Sequence, residues 1–321
     1  MDGVLVLDKP AGLSSAGAVD RVKRALRADR AGHGGTLDPI ATGVLPICLG
    51  AATKLAQYLL ADDKAYEAEG VFGVTTDTLD RTGRVVAERP VAVAEAAFRA
   101  ALARRLGEQD QVPPVFSAIK QDGERLYRRA LRGEEIQLQP RRIRIDRLEL
   151  VAFEPPRFRI AVACSKGTYI RSLVADLGED AGCGAHLAEL RRTRSGRFRI
   201  EDAVPLDRIV VGDRGGDRLA AAEVAAAVAA RLVPLTAATG MPLIAVRAEL
   251  VGPVRSGVQL TLAALYPGAG EGAAPERFQL VDEAGRLLAI AHARDGRVVY
   301  DRVFGGPADR AEWGGVAASK A

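Results

Sequence analysis

Residues 33–43 read His-Gly-Gly-Thr-Leu-Asp-Pro-Ile-Ala-Thr-Gly. This short stretch holds an isolated histidine, one acid, a proline directly after that acid, and several glycines. Gly32, Gly34 and Gly35 permit backbone conformations and close approaches that other residues resist. Pro39 stiffens the chain behind Asp38 and biases that residue towards an extended conformation. A rigid, glycine-flanked turn is a way to aim a carboxylate. An aimed carboxylate can attack as a nucleophile or take a proton. A glycosidase using Asp38 would want a second carboxylate partner, and no motif supplies one. The sequence has no Cys-x-x-Cys or His-x-x-x-His spacing, so no metal site is expected. His186 and His292 read as ordinary helix or strand residues, Asp77 and Asp80 as turn formers, and Tyr58 as core.

A turn aims its acid only if regular elements hold both ends. Val4 to Leu7 is an apolar, β-branched run that predicts a strand, closed by the breakers Asp8-Lys-Pro-Ala-Gly12. Ser14 or Ser15 can cap the helix that follows, in which Val19, Val22 and Leu26 share a face. Val44–Leu49 predicts a strand, which Pro46 would confine to an edge or a strand start. Residues 66–74 predict a strand with Tyr66 near its start, and 94–106 a helix. Residues 157–164 alternate as a half-buried strand does, and the chain breaks at Ser165-Lys-Gly-Thr168. Ile170, Leu173, Val174 and Leu177 then mark a helix, which places Tyr169 and Arg171 at a strand-to-helix junction. After an alanine-rich helix ending near Arg231, short runs at Leu250–Val254, Gly257–Leu262, Phe278–Val281, Leu287–Ala291 and Arg297–Val303 read as strands of a small β domain or barrel.

The 321 residues suffice for one large domain or two, and 48% hydrophobic content excludes global disorder. The net charge is +4, yet the cations cluster. They fall at Lys23–Arg30, Arg125–Arg132, Arg141–Arg144 and Arg191–Arg199, which points to a nucleic-acid surface. Three widely spaced cysteines fit a reducing compartment. The N-terminus lacks a signal-peptide pattern, and no apolar run reaches the length of a membrane span. A cytoplasmic protein is expected.

Several stretches taken together resemble the tRNA pseudouridine-55 synthases of the TruB type. They are Gly3-Val-Leu-Val-Leu-Asp-Lys-Pro10, Gly32–Gly43, Lys64-Ala-Tyr66, Thr76-Asp-Thr78, Pro113-Pro-Val-Phe-Ser-Ala-Ile-Lys120, Cys164-Ser-Lys-Gly-Thr-Tyr-Ile-Arg171 and Gly182–Leu187 through Leu190-Arg-Arg192. They stand in the family's order and cover most of residues 1–200. The C-terminal segment is similar to a PUA domain, a small RNA-binding barrel, by strand pattern and by Gly257 and Gly285. Gly34 and Ile40 depart from the family's usual Thr and Leu. The alanine-rich 210–235 and the Pro/Gly-rich 267–275 also depart from it.

The resemblance implies an α+β pseudouridine-synthase fold, with a central mixed, largely antiparallel sheet and a C-terminal PUA-like barrel. It implies a catalytic domain over 1–240 with an RNA-gripping insertion at 113–142, a PUA-like domain over 241–309 and a tail over 310–321. Asp38 then matches the catalytic aspartate and Arg171 the arginine that pairs with it. Tyr66 matches the tyrosine that stacks on the flipped uracil and is implicated in proton transfer from C5. His33 matches the histidine that helps flip the base. Tyr169 and Leu190 match residues lining the uracil pocket, and Lys9-Pro10 a support for the active-site loop. The implied partner is the T-arm of tRNA, with no cofactor, metal or guide RNA, and the implied protein is a monomer. An RNA-binding module with incidental catalysis would not need Asp38 and Arg171. A guide-dependent synthase is disfavoured by the arginine-bearing insertion.

Overall fold

The computed structural model describes residues 1–117, 120–121, 124–125, 132, 138–210, 218–265 and 275–305. Half of the expected insertion at 113–142 lies outside these residues, and the tail lies wholly outside them.

The expected N-terminal strand runs Gly3–Lys9 (β1), followed by helix α1 (Ser15–Ala25). Ser14 is the cap, its Oγ accepting from Gly17 N at 3.0 Å. That leaves Ser15 free for a second task described below. Strand β2 (Ala31–His33) leads into the Asp38 turn, and β3 (Thr42–Leu49) leaves it. A 3-10 turn and α2 (Ala56–Leu60) precede β4 (Lys64–Phe72). A hairpin of β5 (Val74–Thr76) and β6 (Val85–Glu88) follows, then α3 (Glu95–Arg104) and β7 (Gly107–Gln111). Short strands β8 (Lys120–Gln121) and β9 (Glu124–Arg125) pair with each other. Next come β10 (Arg141–Glu154), β11 (Arg157–Cys164), α4 (Ile170–Asp180), β12 (Ala185–Ser195), β13 (Phe198–Arg199) and β14 (Val204–Pro205).

The main sheet orders its strands β14-β1-β3-β12-β4-β11-β10-β7, with β2 beside β3 and β13 beside β12. The β1–β14 and β3–β12 pairs are parallel and the others antiparallel, so the sheet is mixed and largely antiparallel as expected. One face packs Leu5, Leu7, Leu45, Ile47, Ile160 and Val162 against α1, α3 and α4. Phe72 anchors the far end, its ring 4.3 Å from that of Phe158 and 5.0 Å from that of Phe98.

Pro46 departs from the expectation. It sits in β3, which is interior to the sheet, not at an edge. Its carbonyl accepts from Gly34 N at 2.9 Å, so its nitrogen points to that same side. There β2 ends at His33 and the neighbouring chain leaves the ladder, so the missing N–H removes no strand bond.

Gly43 is where β3 and β12 touch. Its φ is +101°, and a Cβ there would come within 2.2 Å of the Arg192 carbonyl oxygen. Both the conformation and the contact are closed to a side chain. Gly43→Ala is expected to destabilise the protein by more than about 3 kcal/mol. Urea midpoints measure this, and a midpoint near wild type would show that the strands can separate cheaply.

Helices α5 (Arg218–Ala229) and α6 (Leu235–Ala238) follow, with Val228 in the core on one face of the main sheet and Ala238 beside Val4 and Val6 on the other. Then come β15 (Leu243–Ala245), α7 (Ala248–Arg255), α8 (Leu262–Leu265), β16 (Phe278–Val281), β17 (Leu287–Arg294) and β18 (Arg297–Val303). Among the described residues these strands form a four-stranded sheet ordered β15-β16-β17-β18. The run Leu250–Val254 is not a strand but part of α7. Val251 and Val254 stand three apart, and Val254 is fully buried. A short apolar run is ambiguous between the two periods, and packing decides it. Residues 257–261 are not a strand either: they meet the sheet at an isolated Thr261–Arg297 bridge and through the Tyr300 hydroxyl, which donates to Val258 O at 2.9 Å. Val281, Leu287, Ile290 and Phe304 pack with Val4, Val6, Val44 and Cys48, which covers the other face of the main sheet.

Candidate active site

The turn carrying Asp38 is held by its backbone. Ser15 Oγ accepts from Leu37 N at 2.8 Å and donates to Leu37 O at 3.0 Å, clamping the residue beside the acid from both sides. Gly12 N donates to Pro39 O at 2.8 Å, and Ala41 N to Asp38 O at 3.0 Å. Gly34 is needed for space, since a Cβ there would lie 2.8 Å from Leu59 Cβ.

Arg171 stands in the first turn of α4 and meets Asp38, 133 residues away in sequence. Its Nε lies 2.9 Å from Oδ2 as an ion contact, and Nη2 donates to Oδ1 at 3.3 Å. The arginine side chain is 5% exposed and the aspartate 34%, so the cation is the buried holder and the acid faces the cleft. Nη1 also donates to Thr78 O at 3.0 Å and Nη2 to Phe116 O at 2.9 Å. Asp80 is the surprise. It is buried and lies 3.8 Å from Arg171, while accepting from Thr78 Oγ1, Thr82 N and Thr82 Oγ1. The expected turn former is thus also a second carboxylate on Arg171. Nothing in Thr76-Asp-Thr-Leu-Asp80 distinguishes it from Asp77, which stays at the surface with Arg84.

Asp38, Tyr66, Tyr169, Arg171 and Leu190 line one cleft of about 270 Å³, together with Lys64, Ser117 and Arg192. Tyr66 rises from β4 and Leu190 from β12, neighbours in register through the Leu190–Ala68 and Arg192–Tyr66 pairs. Tyr169 is fixed by Gln111, which accepts from its N at 2.8 Å and donates to its O at 3.0 Å. Burial pushes the Tyr66 and Tyr169 phenols up. His33 ends β2 outside this lining. Its Nδ1 is buried without a partner, and burial pushes its pKa down, with Arg192 adding to the effect.

Two buried lysines flank the site. Lys9 donates to Pro10 O at 2.8 Å and Leu13 O at 2.7 Å, and Lys64 to Leu60 O at 2.9 Å and to Asp62 O. Burial lowers both to about 8, against the attraction of Asp38 for Lys9 and of Asp62 for Lys64. Each binds its proton more weakly folded than unfolded. Their cost is fully present below pH 8 and is relieved as pH rises from there towards 10.5. The buried thiols of Cys48 and Cys164, pushed up to about 12 and about 11, act oppositely above pH 9. Stability in urea is therefore expected to rise by about 1 kcal/mol between pH 8 and 9, then fall. A monotonic fall from pH 7.5 would contradict this.

Residues 23–170 match the TruB family pseudouridylate synthase N-terminal domain, and residues 171–212 the tRNA pseudouridylate synthase B C-terminal domain. The tRNA pseudouridine synthase B of Burkholderia mallei is 44% identical over 306 residues, spanning 94% of this chain and 97% of its own. That of Stutzerimonas stutzeri is 50% identical over 221 residues, 68% of this chain and 72% of its own. The chain belongs to the TruB family of pseudouridylate synthases. Among solved structures, it is similar to one in a Cbf5-Nop10-Gar1 complex, with TM-score 0.68 and 27% identity over 95% of this chain and 85% of that one. It is also similar to one in an H/ACA RNP bound to a substrate RNA containing 2'-deoxyuridine, with TM-score 0.66 and 26% identity over 94% and 84%.

For a TruB-family chain the basic runs divide unexpectedly. In the 141–144 run, Arg142 pairs with Glu108 at 3.0 Å and Arg144 with Asp146 at 2.6 Å. In the last run, Arg191 pairs with Asp8 at 2.8 Å, and Arg192 is 1% exposed. Lys23, Arg24 and Arg27 remain at the surface. The side chains of 125–131 lie outside the described residues. Among those residues no group of His, Cys, Asp and Glu could hold a metal, and no helix is long and apolar enough to cross a membrane.

Proposed function

We propose that the protein converts uridine-55 in the T-arm of tRNA to pseudouridine, with Asp38 as the reacting carboxylate and no cofactor. The supporting observation is the Asp38–Arg171 pair in a cleft that Tyr66, Tyr169 and Leu190 also line, in a TruB-family chain. The tRNA pseudouridine synthase B names of the relatives support tRNA as substrate. The isomerisation balances without a co-reactant. The N1–C1′ bond breaks, C5–C1′ forms, the C5 hydrogen leaves as a proton, and N1 gains one. Attack by Asp38 at C6, or action at the ribose, uses the same carboxylate, which Arg171 holds in place through Nε and Nη2.

A stacked base must be extruded to reach the cleft. His33 is the group that takes up the vacated space, and Tyr66 and Tyr169 offer aromatic faces to the extruded ring. Tyr66 also serves the C5 proton transfer. Residues 241–309 form a PUA-like RNA-binding domain on the catalytic unit of 1–240, and the protein works as a cytoplasmic monomer.

The similarity to chains solved in H/ACA assemblies favours a second reading, in which other components deliver the substrate. The experiment is tritium release from carbon-5-labelled uridine in a T-arm hairpin, with the protein alone and EDTA present. Release, mapped to position 55, supports the stand-alone reading. Release only from full assemblies supports the second. Binding without release in either setting overturns both.

A further inference from the structure

Helix α1 and the turn that ends it carry four cations without a counter-ion. Arg21, Lys23, Arg24 and Arg27 are exposed, and none has a carboxylate partner among the described residues. Asp20 stands on the same helix, exposed, and pairs with none of them. Other exposed arginines of the catalytic unit are mostly matched, as Arg84 is by Asp77, Arg89 by Glu179, Arg99 by Glu95 and Arg142 by Glu108. Neighbouring like charges on a helix repel one another, and a bound polyanion relieves that repulsion.

Arg27 adds a second observation. It follows α1 with φ +49°, the left-handed conformation of a helix end where glycine is usual. The turn closes through Arg27 N to Arg24 O at 3.2 Å and Ala28 N to Lys23 O at 3.0 Å. A long side chain is strained there, and this one makes no ion pair in return among the described residues.

The helix is also joined to the cleft. A hollow of about 500 Å³ is lined by Arg21, Asp8, Thr42, Arg191 and Asp207. It shares Thr42 and Arg191 with a hollow of about 270 Å³, and that one shares Leu190 with the cleft of Asp38. Arg159, exposed and unpaired, lines the middle hollow. Along the helix, Arg21 and Arg24 stand roughly 9 and 14 Å from Ser15, which clamps Leu37 beside Asp38. Offsets of that size correspond to about three or four nucleotides of a stacked strand.

We propose that the solvent face of α1, with Arg27 at its end, is a phosphate-binding surface that takes the substrate RNA's backbone a few nucleotides from the base held in the cleft. This rests on the RNA substrate given under Proposed function. Phosphate contacts position a nucleic acid without reading its sequence. The α1 cations therefore set how tightly the RNA is held, and the Asp38 cleft how fast it reacts.

The test compares wild type with an α1 variant carrying Arg21→Gln, Lys23→Gln, Arg24→Gln and Arg27→Gly. A control carrying Arg84→Gln, Arg89→Gln, Arg99→Gln and Arg104→Gln removes as many charges from elsewhere. Affinity for an unmodified tRNA transcript is measured from about 50 to about 200 mM salt, and single-turnover tritium release against enzyme concentration. The α1 variant is expected to bind about 10- to 100-fold more weakly at about 100 mM salt, with a salt slope shallower by about 2 to 3. Its half-saturating enzyme concentration should rise in step, with the larger loss there and not in the plateau rate. The control should lose less than about 3-fold in affinity. Arg27→Gly alone should weaken binding and leave the urea midpoint level or higher, since glycine fits the left-handed turn, whereas a structural role would lower it. If the α1 variant does not fold, Arg24→Gln and Arg27→Gly are read singly, each with a slope shallower by about 1. Wild-type affinity and slope in the α1 variants, or an equal loss in the control, overturn the proposal. A wild type that binds the transcript and releases no tritium instead overturns the function, and the affinities still decide the α1 surface.

Discussion

Asp38→Asn is expected to bind a T-arm hairpin as wild type does and to release tritium more than about 10⁴-fold more slowly. The substitution keeps the shape of the side chain and removes its charge and nucleophilicity. The turn does not depend on that charge, because Ser15, Gly12 and Ala41 hold it through backbone atoms. The side chain is one-third exposed, so little packing is disturbed. Single-turnover release with affinity measured in parallel decides the matter. Activity within about 100-fold of wild type would move the reacting group away from Asp38.

Arg171→Met is expected to damage both fold and rate. Its side chain is buried and serves four acceptors, the two carboxylates and the carbonyls of Thr78 and Phe116. Removing it strands Asp80, itself 7% exposed, without a counter-charge. A broken buried pair costs about 3–5 kcal/mol, and the openness of Asp38 reduces this to about 3. The rate should fall by about 10³-fold, because Asp38 loses both its partner and its orientation. Arg171→Lys should restore little of it, since an ammonium cannot reproduce the fork. Urea midpoints and tritium release report the two losses separately, and a variant intact in both would remove Arg171 from the site.

The local pattern of the chain was legible where periodicity was long. The alternation of 157–164 and the helical spacing of Ile170, Leu173, Val174 and Leu177 appear as β11 and α4. Asp38, Tyr66, Tyr169, Arg171 and Leu190 converge on one cleft because ordered motifs named them together, though no spacing could have shown that residues 38 and 171 touch. What stayed hidden depends on burial. Asp80 and Arg192 look in sequence like a turn acid and one cation of a surface run. Their burial follows from sheet order and side-chain reach, which leave no trace in local composition. Leu250–Val254 was misread for a related reason, being too short for its period to choose between helix and strand.

The place of β12 has a consequence for how the protein is made. Ala185–Ser195 fills the centre of the main sheet, between β3 and β4, yet it is synthesised more than a hundred residues after both. Until it arrives, the emerging chain carries two half-sheets with facing open edges, the arrangement most exposed to wrong pairing. Leu190 and Arg192 arrive on the same strand, so the cleft cannot form while the nascent chain is still vulnerable. Any fragment that stops short of residue 185 holds the Asp38 turn with no strand to close against.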